Sequence, residues 1–431
     1  MFKEGLKKLI MTTVACAAVS ASAALPQPQH IVEGIKSYEL ENGLKIVLFA
    51  DQSKPTATVN TTYLVGSRQE NYGETGMAHL LEHLMFKGSK NYPDPTREFT
   101  KRGFRMNGTT WLDRTNYFVS FTANDDNMRW ALGWSADAMV NSNIAKKDLD
   151  TEMTVVRNEY EMGENKPVSV MVKRMQGILF DWHAYGRNTI GARSDIENVP
   201  IENLQAFYHK WYQPDNAVLT VSGKFDETKV LTWITETFGK IPRPTRVLPA
   251  EWTVEPVADG PRYFEIRRPG ESQLVAVGYR IPSAIAADNN AVETAVDVLS
   301  SAPRGRLYKA LVETGMAGQV FGWAMSAKCP SFVMFGAMVK KGDDIERVKN
   351  VLIDTVENAF KKTPADETEV GLSLAEAATD FERTLSDPEE FAVELSDYIS
   401  LGDWRLYFYD RDATAKVTPE DVNKAATTYF V

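Results

Sequence analysis

The 431-residue sequence has little cysteine, little histidine and no excess of positive charge. Its two cysteines are Cys16 and Cys329, so a chain that loses its N-terminal segment keeps one cysteine and no intramolecular disulfide. The formal net charge of −10 gives no electrostatic case for nucleic-acid binding. Beyond the N-terminus, no apolar run is long enough to cross a membrane. What remains is an ordinary globular composition, 43% hydrophobic, with a length that suggests two or three domains.

Residues 1–23 have the pattern of a secretory signal peptide. Three lysines precede an apolar run over residues 9–21, and Ala21-Ser22-Ala23 is a small-residue cleavage site. The alternative is a membrane anchor, for which the run is short. The residues before Cys16 match a lipid-attachment signal poorly, which argues against a lipoprotein. We therefore expect an exported protein, periplasmic in a Gram-negative bacterium, whose mature chain begins at residue 24.

The mature chain divides into two halves, and the first, residues 24–240, contains both strand and helix patterns. Asn42-Gly43 is the strongest two-residue turn signal and predicts a β-hairpin between the apolar stretches on either side. Helical spacing of apolar residues predicts a helix around His79 and several more between residues 127 and 180. The other elements predicted in this half are strands at residues 57–65, 116–122 and 217–222 and a short helix at 97–102.

Residues 241–262 are rich in proline and glycine and predict a linker. After it, the order of elements repeats within residues 263–431, although the helix in the place of the His79 helix has no histidine. The elements predicted in this half are strands at residues 263–267, 274–280 and 331–339 and helices at 290–299 and 306–313. We predict an α+β fold of two tandem duplicated domains, each with a mixed or antiparallel sheet covered by helices.

Two of the five histidines, His79 and His83, are four residues apart, with Glu82 between them. On a helix these positions lie on one face, and the flanking leucine, methionine and alanine residues can bury the opposite face. Both imidazoles can therefore bind one metal ion while the carboxylate stands beside it. The alternative is a pair of histidines on a buried helix without metal. A catalytic zinc site needs at least one more protein ligand and keeps one position for water.

The best source of that ligand is the acidic helix predicted over residues 148–163. It contains Glu152, Glu159 and Glu161, and the first two are seven residues apart, which places them two turns along one face. One of these two carboxylates can bind the ion while the other supports a histidine by a hydrogen bond. The alternative is an ordinary solvated acidic helix.

The motif His79-x-x-Glu82-His83, followed by a glutamate-bearing helix, resembles that of the inverzincin zinc metallopeptidases. This is the family of pitrilysin, insulinase and the mitochondrial processing peptidase. The likeness extends over almost all of the mature chain, and within the family it is greatest to the zinc-bearing subunit of a two-chain bacterial member. The segments that carry it are residues 40–44, 66–68, 76–88, 107–117, 185–191 and 212–217.

The resemblance implies a role for each residue of the motif. His79, His83 and Glu159 would be the ligands of one Zn2+ per chain. Glu152 would hold one ligand histidine in its tautomer. Glu82 would be the general base that acts on a zinc-bound water, so the chain would be a zinc endopeptidase hydrolysing peptides or unfolded polypeptides.

The resemblance also implies a substrate-binding strand over Asn107, Gly108, Thr109 and Thr110, at the mouth of the site. An extended peptide can add to such an edge by backbone hydrogen bonds, which read little side-chain identity. The alternative for Asn107 is a simple turn residue beside Gly108.

The chain departs from the family in its second half. In relatives, an arginine and a tyrosine seven residues later contact the substrate and stabilise the oxyanion. Here Val312 and Gln319 occupy those positions. We therefore expect a separate, homologous two-domain partner without the zinc motif to supply the pair in a heterodimer, with a homodimer as the alternative. A non-catalytic assembly subunit of the same family is the competing functional hypothesis.

Overall fold

The computed structural model describes residues 25–431, so the predicted signal peptide and Cys16 lie outside the described residues. The described chain contains one seven-stranded sheet, one three-stranded sheet and many helices, which confirms the predicted α+β class. No helix within residues 25–431 is both long and apolar enough to span a bilayer.

The first sheet is mixed and has the strand order β1-β2-β3-β7-β4-β6-β5. Its one parallel pair is β3 with β7, and all other neighbours are antiparallel. Strand β5 lies at the edge and pairs only with β6, in a register that puts Gly108 opposite Tyr117. The strands are β1 (His30–Val32), β2 (Ile35–Glu39), β3 (Lys45–Ala50), β4 (Thr56–Tyr63), β5 (Arg105–Thr110), β6 (Thr115–Thr122) and β7 (Ala217–Gly223).

Eight helices accompany this sheet, and most of their apolar faces join one large core with the inward residues of β2, β3, β4, β6 and β7. The largest side chains at its centre are aromatic: Trp134, Tyr63 and Tyr212 are almost fully buried. The helices are α1 (Met77–Met85), α2 (Pro95–Arg102), α3 (Asp125–Asn141), α4 (Lys146–Glu164), α5 (Pro167–Leu179), α6 (Arg193–Asn198), α7 (Ile201–Trp211) and α8 (Glu227–Thr237).

The hairpin around Asn42-Gly43 forms between β2 and β3, but its turn holds three residues instead of the predicted two. Leu40 N donates to Leu44 O, and Gly43 N donates to Leu40 O. The side chain of Asn42 explains the longer turn. Its amide donates to the carbonyl oxygens of Phe238 and Ile241, both at 2.8 Å, so Asn42 is turned inward and 5% exposed.

The second sheet is antiparallel, with the order β8-β10-β9, and it repeats the strand, helix, strand, strand order of the first half. Its strands are β8 (Ser272–Ile281), β9 (Gln319–Met325) and β10 (Ser331–Lys340), and its helices are α9 (Asn289–Ser300), α10 (Ile345–Lys362), α11 (Glu367–Ser386), α12 (Pro388–Leu401), α13 (Leu406–Thr414) and α14 (Pro419–Tyr429), with a short π-type helix at Tyr308–Val312.

The strand predicted at residues 263–267 is wrong, and β9 is a strand that its pattern did not indicate. In the first segment Tyr263 is 83% exposed, and only Phe264 packs against a core, so the backbone follows the surface without pairing. In β9, Gly322 interrupts an apolar run, which weakens the strand signal. A Cβ at Gly322 would lie 2.6 Å from the ring of Phe335 on the paired strand, so the glycine serves close packing.

The two halves share a large contact, because α12 and α13 pack on the first sheet, on the face opposite α1. Phe391 and Leu395 join Val47 and Val218 in one buried cluster. The side chain of Asn60 on β4 donates to the backbone oxygen of Ala392 at 2.6 Å. The first sheet therefore lies between helices of its own half and helices contributed by the second half.

Candidate metal centre

Helix α1 buries one face and presents the other to the site. Its apolar residues are at most 3% exposed, whereas His79, Glu82 and His83 lie on the less buried side. The helix begins after Gly76, whose backbone φ is +93° and whose position would bring a Cβ within 2.6 Å of Ile190 O. A side chain at position 76 would therefore disturb the start of the helix that carries the motif.

Glu70 fixes the start of α1, and sequence reasoning missed it. Its carboxylate accepts hydrogen bonds from Gly76 N and Ala78 N, both at 2.8 Å, so it satisfies donors that a helix N-terminus leaves free. Burial raises the pKa of Glu70 to about 8, against the lowering effect of these two bonds and of Arg187. No spacing rule indicated this contact, since Glu70 precedes the helix by a six-residue loop. An acidic residue upstream of a helix start was the only available signal.

Helix α4 brings its two glutamates to the histidines of α1. The Glu159 carboxylate oxygen Oε2 lies 3.6 Å from His79 Nε2 and 3.4 Å from His83 Nε2. The Glu152 oxygen Oε2 lies 3.2 Å from His83 Nδ1, on the other side of that ring. The two imidazole rings are nearly perpendicular, at 88°, with centroids 4.8 Å apart.

The donor atoms of His79, His83 and Glu159 fit a tetrahedral metal ion. All three lie within 4.8 Å of one another. The nitrogen–oxygen distances of 3.4 and 3.6 Å are too long for good hydrogen bonds. They are close to the separation of about 3.3 Å between ligand atoms that bonds of about 2.0–2.1 Å give in a tetrahedral zinc site. Two imidazole nitrogens and a carboxylate oxygen are also the donors that zinc accepts.

The electrostatics of the histidines favour metal binding over proton binding. Burial, together with the neighbouring His83, lowers the pKa of His79 to about 4, so its imidazole is neutral at pH 7. A neutral imidazole is the form that binds a metal ion.

Glu152 supports His83 and is itself held by Lys87. The ammonium of Lys87 lies 2.5 Å from the Glu152 oxygen Oε1, while the other oxygen faces His83 Nδ1. Burial tends to raise the pKa of Glu152, but the hydrogen bonds from Lys87 and His83 outweigh it and lower that pKa. The carboxylate is therefore ionised and can accept the Nδ1–H of His83, which leaves His83 Nε2 free to face Glu159.

The side chain of Glu82 extends from α1 toward the edge strand β5. The hydroxyl of Thr110 donates to the Glu82 oxygen Oε2 at 2.7 Å. A Cβ at Gly108 would lie 2.8 Å from Cγ of Glu82, so this glycine lets the strand backbone approach the carboxylate closely. Burial raises the pKa of Glu82 above its usual value, while the bond from Thr110 opposes that shift.

The four residues predicted to contact substrate lie together on β5. Asn107 is exposed, and its Oδ1 accepts a hydrogen bond from Gly108 N at 3.0 Å. Because β5 pairs with β6 on one side only, its other edge is open among the described residues. Two large apolar residues lie at the surface here: Met106, within the strand, is 36% exposed, and Trp111, directly after it, is 44% exposed.

Two models of one peptidase family match most of the chain. Residues 45–193 match the model described as insulinase (peptidase family M16), and residues 198–372 match the model described as peptidase M16 inactive domain. The chain belongs to the M16 peptidase family. The first of these matches contains all three candidate ligands and Glu82, and the second contains none of them.

Several M16 proteins are similar to this chain over most of its length. It is 27% identical over 441 residues to a protein named zinc protease PqqE from Helicobacter pylori, with 99% of this chain and 95% of that protein covered. The crystal structure of a protease from Helicobacter pylori superposes with a TM-score of 0.86 at 25% identity, with coverage of 95% and 97%.

The structure of the periplasmic protease PqqL from Escherichia coli shows the same fold in a longer chain. The TM-score is 0.70 at 17% identity, and the match covers 93% of this M16 chain but 47% of PqqL. This M16 chain therefore spans about half the length of PqqL.

Proposed function

We propose that this chain is the zinc-bearing subunit of an exported endopeptidase, which hydrolyses peptides or unfolded polypeptides together with a partner subunit. The observation that carries the proposal is the convergence of His79, His83 and Glu159 from two helices, with Glu82 beside them. The names of the M16 relatives, which are called zinc proteases, support the same reaction.

The proposed chemistry assigns one task to each side chain. His79, His83 and Glu159 would hold the ion, and zinc bound there would lower the pKa of a coordinated water and polarise a peptide carbonyl. Glu82 takes a proton as the water oxygen attacks the carbonyl carbon and passes it to the leaving nitrogen as the peptide bond breaks. Burial raises the pKa of Glu82 above its usual value, which strengthens it as a proton acceptor.

The substrate would lie along the open edge of β5. An extended peptide can pair with the free backbone groups of Asn107 to Thr110, which places its carbonyl near Glu82 because Thr110 already contacts that carboxylate. Backbone pairing reads little side-chain identity, so we expect broad specificity for unfolded chains.

A partner subunit would complete the site. Val312 has no hydrogen-bond donor in its side chain, and Gln319, at the start of β9, is exposed. Val312 therefore cannot stabilise an oxyanion, and Gln319 offers a neutral amide where the relatives have a phenol, so the pair supplies neither a cationic nor a phenolic donor. The double length of PqqL relative to this chain supports an assembly in which a second unit of similar size is present.

We place the assembly in the periplasm. The N-terminal pattern of residues 1–23 indicates export, and the structural relative PqqL is described as periplasmic.

The test is a matched pair of proteins, wild type and Glu82→Gln, each purified from residue 24 onward. We expect about one zinc per chain in both by elemental analysis. With the partner present, wild type should cleave a quenched-fluorescent peptide, while Glu82→Gln should be slower by a factor of about 10²–10⁴, the usual contribution of a general base. Retained activity in Glu82→Gln would remove Glu82 from this role.

The competing hypothesis, a non-catalytic assembly subunit, is favoured by Val312 and Gln319. It predicts a different outcome of the same assay. Whatever the zinc content, no cleavage would appear with any partner. Wild type and Glu82→Gln would then be indistinguishable in the peptide assay.

A further inference from the structure

Arg114 is a buried arginine in the turn between β5 and β6, next to the candidate centre. Only 8% of its side chain is exposed. An arginine is rarely buried to this extent unless its charge is paired and its donors are used. The groups that pair with the Arg114 guanidinium therefore indicate its structural role.

Within its own hairpin, Arg114 joins the two strands. Its Nη1 donates to Oγ1 of Thr109, to the backbone oxygen of Thr109 at 3.3 Å and to Oδ1 of Asn116 at 2.8 Å. The Thr109 hydroxyl also donates to Asn116 Oδ1 at 2.5 Å. The end of β5 is thus fixed to β6 by side chains as well as by the backbone ladder.

Arg114 also reaches the second half of the chain. Its Nε donates to Oδ1 of Asp397 on α12 at 2.8 Å. A second route runs parallel to this one, since Asn116 donates to Asn60 at 3.0 Å and Asn60 donates to Ser396 Oγ at 2.8 Å. Both routes end at adjacent residues of α12, so the edge strand is tied to a helix from the other half.

This tie bears on the proposed site because Thr109 and Thr110 are neighbours. Within residues 25–431, strand β5 pairs with β6 alone, and an edge strand held on one side is free to fray. Thr110 holds Glu82 through its hydroxyl, so movement of Thr109 would move the support of the proposed base. The same movement would distort the edge to which substrate would pair.

We propose that Arg114 is a positioning residue, which locks β5 against α12 so that the strand presents a rigid edge to the substrate and keeps Thr110 on Glu82. The inference rests on the proposed function, but its structural part does not require activity. Lysine cannot replace the arginine fully, because an ammonium lacks the planar fork that reaches Asp397, Thr109 and Asn116 together.

The test compares Arg114→Ala, Arg114→Lys and Asp397→Asn with wild type. The matched control is Arg383→Ala, which removes an arginine of an exposed ion pair with Asp380 on α11. Thermal unfolding and zinc content are recorded for each, and the two milder variants keep the test informative if Arg114→Ala does not fold.

The first readout is amide hydrogen exchange, which needs no substrate. We expect the amides of residues 105–110 to exchange at least about 10-fold faster in Arg114→Ala, with smaller increases in Arg114→Lys and Asp397→Asn and none in the control. Exchange in β10 should stay unchanged. The double variant Arg114→Ala, Asp397→Asn should exchange no faster than Arg114→Ala alone, because the two residues act through one contact.

The second readout separates KM from kcat on a peptide substrate. A loosened strand edge predicts a rise in KM of about 10-fold in Arg114→Ala, partly recovered in Arg114→Lys, with zinc content unchanged. A purely structural role would lower the amount of active enzyme and leave KM alone. Unchanged exchange in β5, or unchanged KM in an active variant, would overturn the inference. Faster exchange of β5 in Arg114→Ala, combined with no hydrolysis by wild type, would refute the proposed function and still support the anchoring role.

Discussion

Glu159 and Glu161 are two residues apart on α4, yet they face different surroundings. Glu159 lies within 3.6 Å of both histidines of α1. Glu161 turns outward, 3.6 Å from Arg193, with 55% of its side chain exposed. Two acidic residues of similar propensity on one helix therefore make a natural pair for testing the third metal ligand.

We predict that Glu159→Gln lowers the zinc content sharply, while Glu161→Gln leaves it unchanged. An amide is a weaker ligand than a carboxylate and brings no negative charge to the ion. Elemental analysis after dialysis against a weak chelator would measure the difference. Equal zinc in the two variants would place the third ligand elsewhere.

At the scale of single residues, the sequence predicted which site residues lie on the same face of a helix. His79, Glu82 and His83 share one turn, and Glu152 and Glu159 share one helix face, so helical periodicity alone groups each set. Which glutamate meets which nitrogen depends on how α4 crosses α1, and periodicity contains no such information. Glu70 escaped prediction for the same reason, because its contact with the start of α1 depends on the path of a loop.

At the scale of elements, the contact between α1 and β5 sets the surroundings of the proposed base. Thr110 is the link, since its hydroxyl donates to Glu82 and stabilises the charged carboxylate. Thr122, exposed on the neighbouring β6, offers a control with the same chemical change and no partner in the site.

We predict that Thr110→Val lowers kcat/KM by about 10-fold without loss of zinc, while Thr122→Val has no effect. Losing the hydroxyl removes an influence that lowers the pKa of Glu82, so that pKa rises further. Glu82 must be ionised to accept a proton, and the acidic limb of the pH–rate profile should therefore move to higher pH. A limb that moves to lower pH, or stays in place, would contradict this role for Thr110.

The elements themselves were predicted well where apolar residues mark them, but the burial of polar side chains was not. Helices α1 and α4 have helical spacing of apolar residues, and strands β7 and β10 are largely apolar runs. All four were predicted near their observed bounds. In β4 the alternating residues Thr58, Asn60 and Thr62 would be assigned to solvent, yet each is at most 2% exposed. Asn60 and Thr62 have partners on α12, more than 300 residues away, and a local pattern contains no sign of such a contact. Thr58 instead pairs with the hydroxyl of Ser120 on β6.

At the scale of the whole molecule, the two halves are joined more closely than a linker suggests. Helices α12 and α13 leave their own sheet and cover the first one, through an apolar cluster and a row of buried hydrogen bonds. A second apolar cluster joins Leu112 and Tyr185 of the first half to Met325 and Phe332 of the second. Large apolar interfaces resist separation, so we expect the two halves to move as one rigid unit.

The last prediction concerns the proposed partner subunit. The chain carries the proposed zinc ligands and the proposed base, but Val312 and Gln319 supply no cationic or phenolic donor. We expect the purified chain to bind zinc fully and turn over slowly, and a homologous chain with the arginine and tyrosine to raise turnover by about 10²-fold or more, the cost of losing an oxyanion donor.

Titration of a fixed amount of this chain with the partner should give a saturable rise in peptide cleavage, with an end point at equal amounts. The control is the partner mixed with Glu82→Gln, which should stay inactive because only this chain supplies the base. Rapid turnover by a demonstrably partner-free preparation would show that the chain completes its own site, either alone or between two copies. The concentration dependence of the rate distinguishes these two cases. Only if two copies must associate does the specific activity rise with protein concentration.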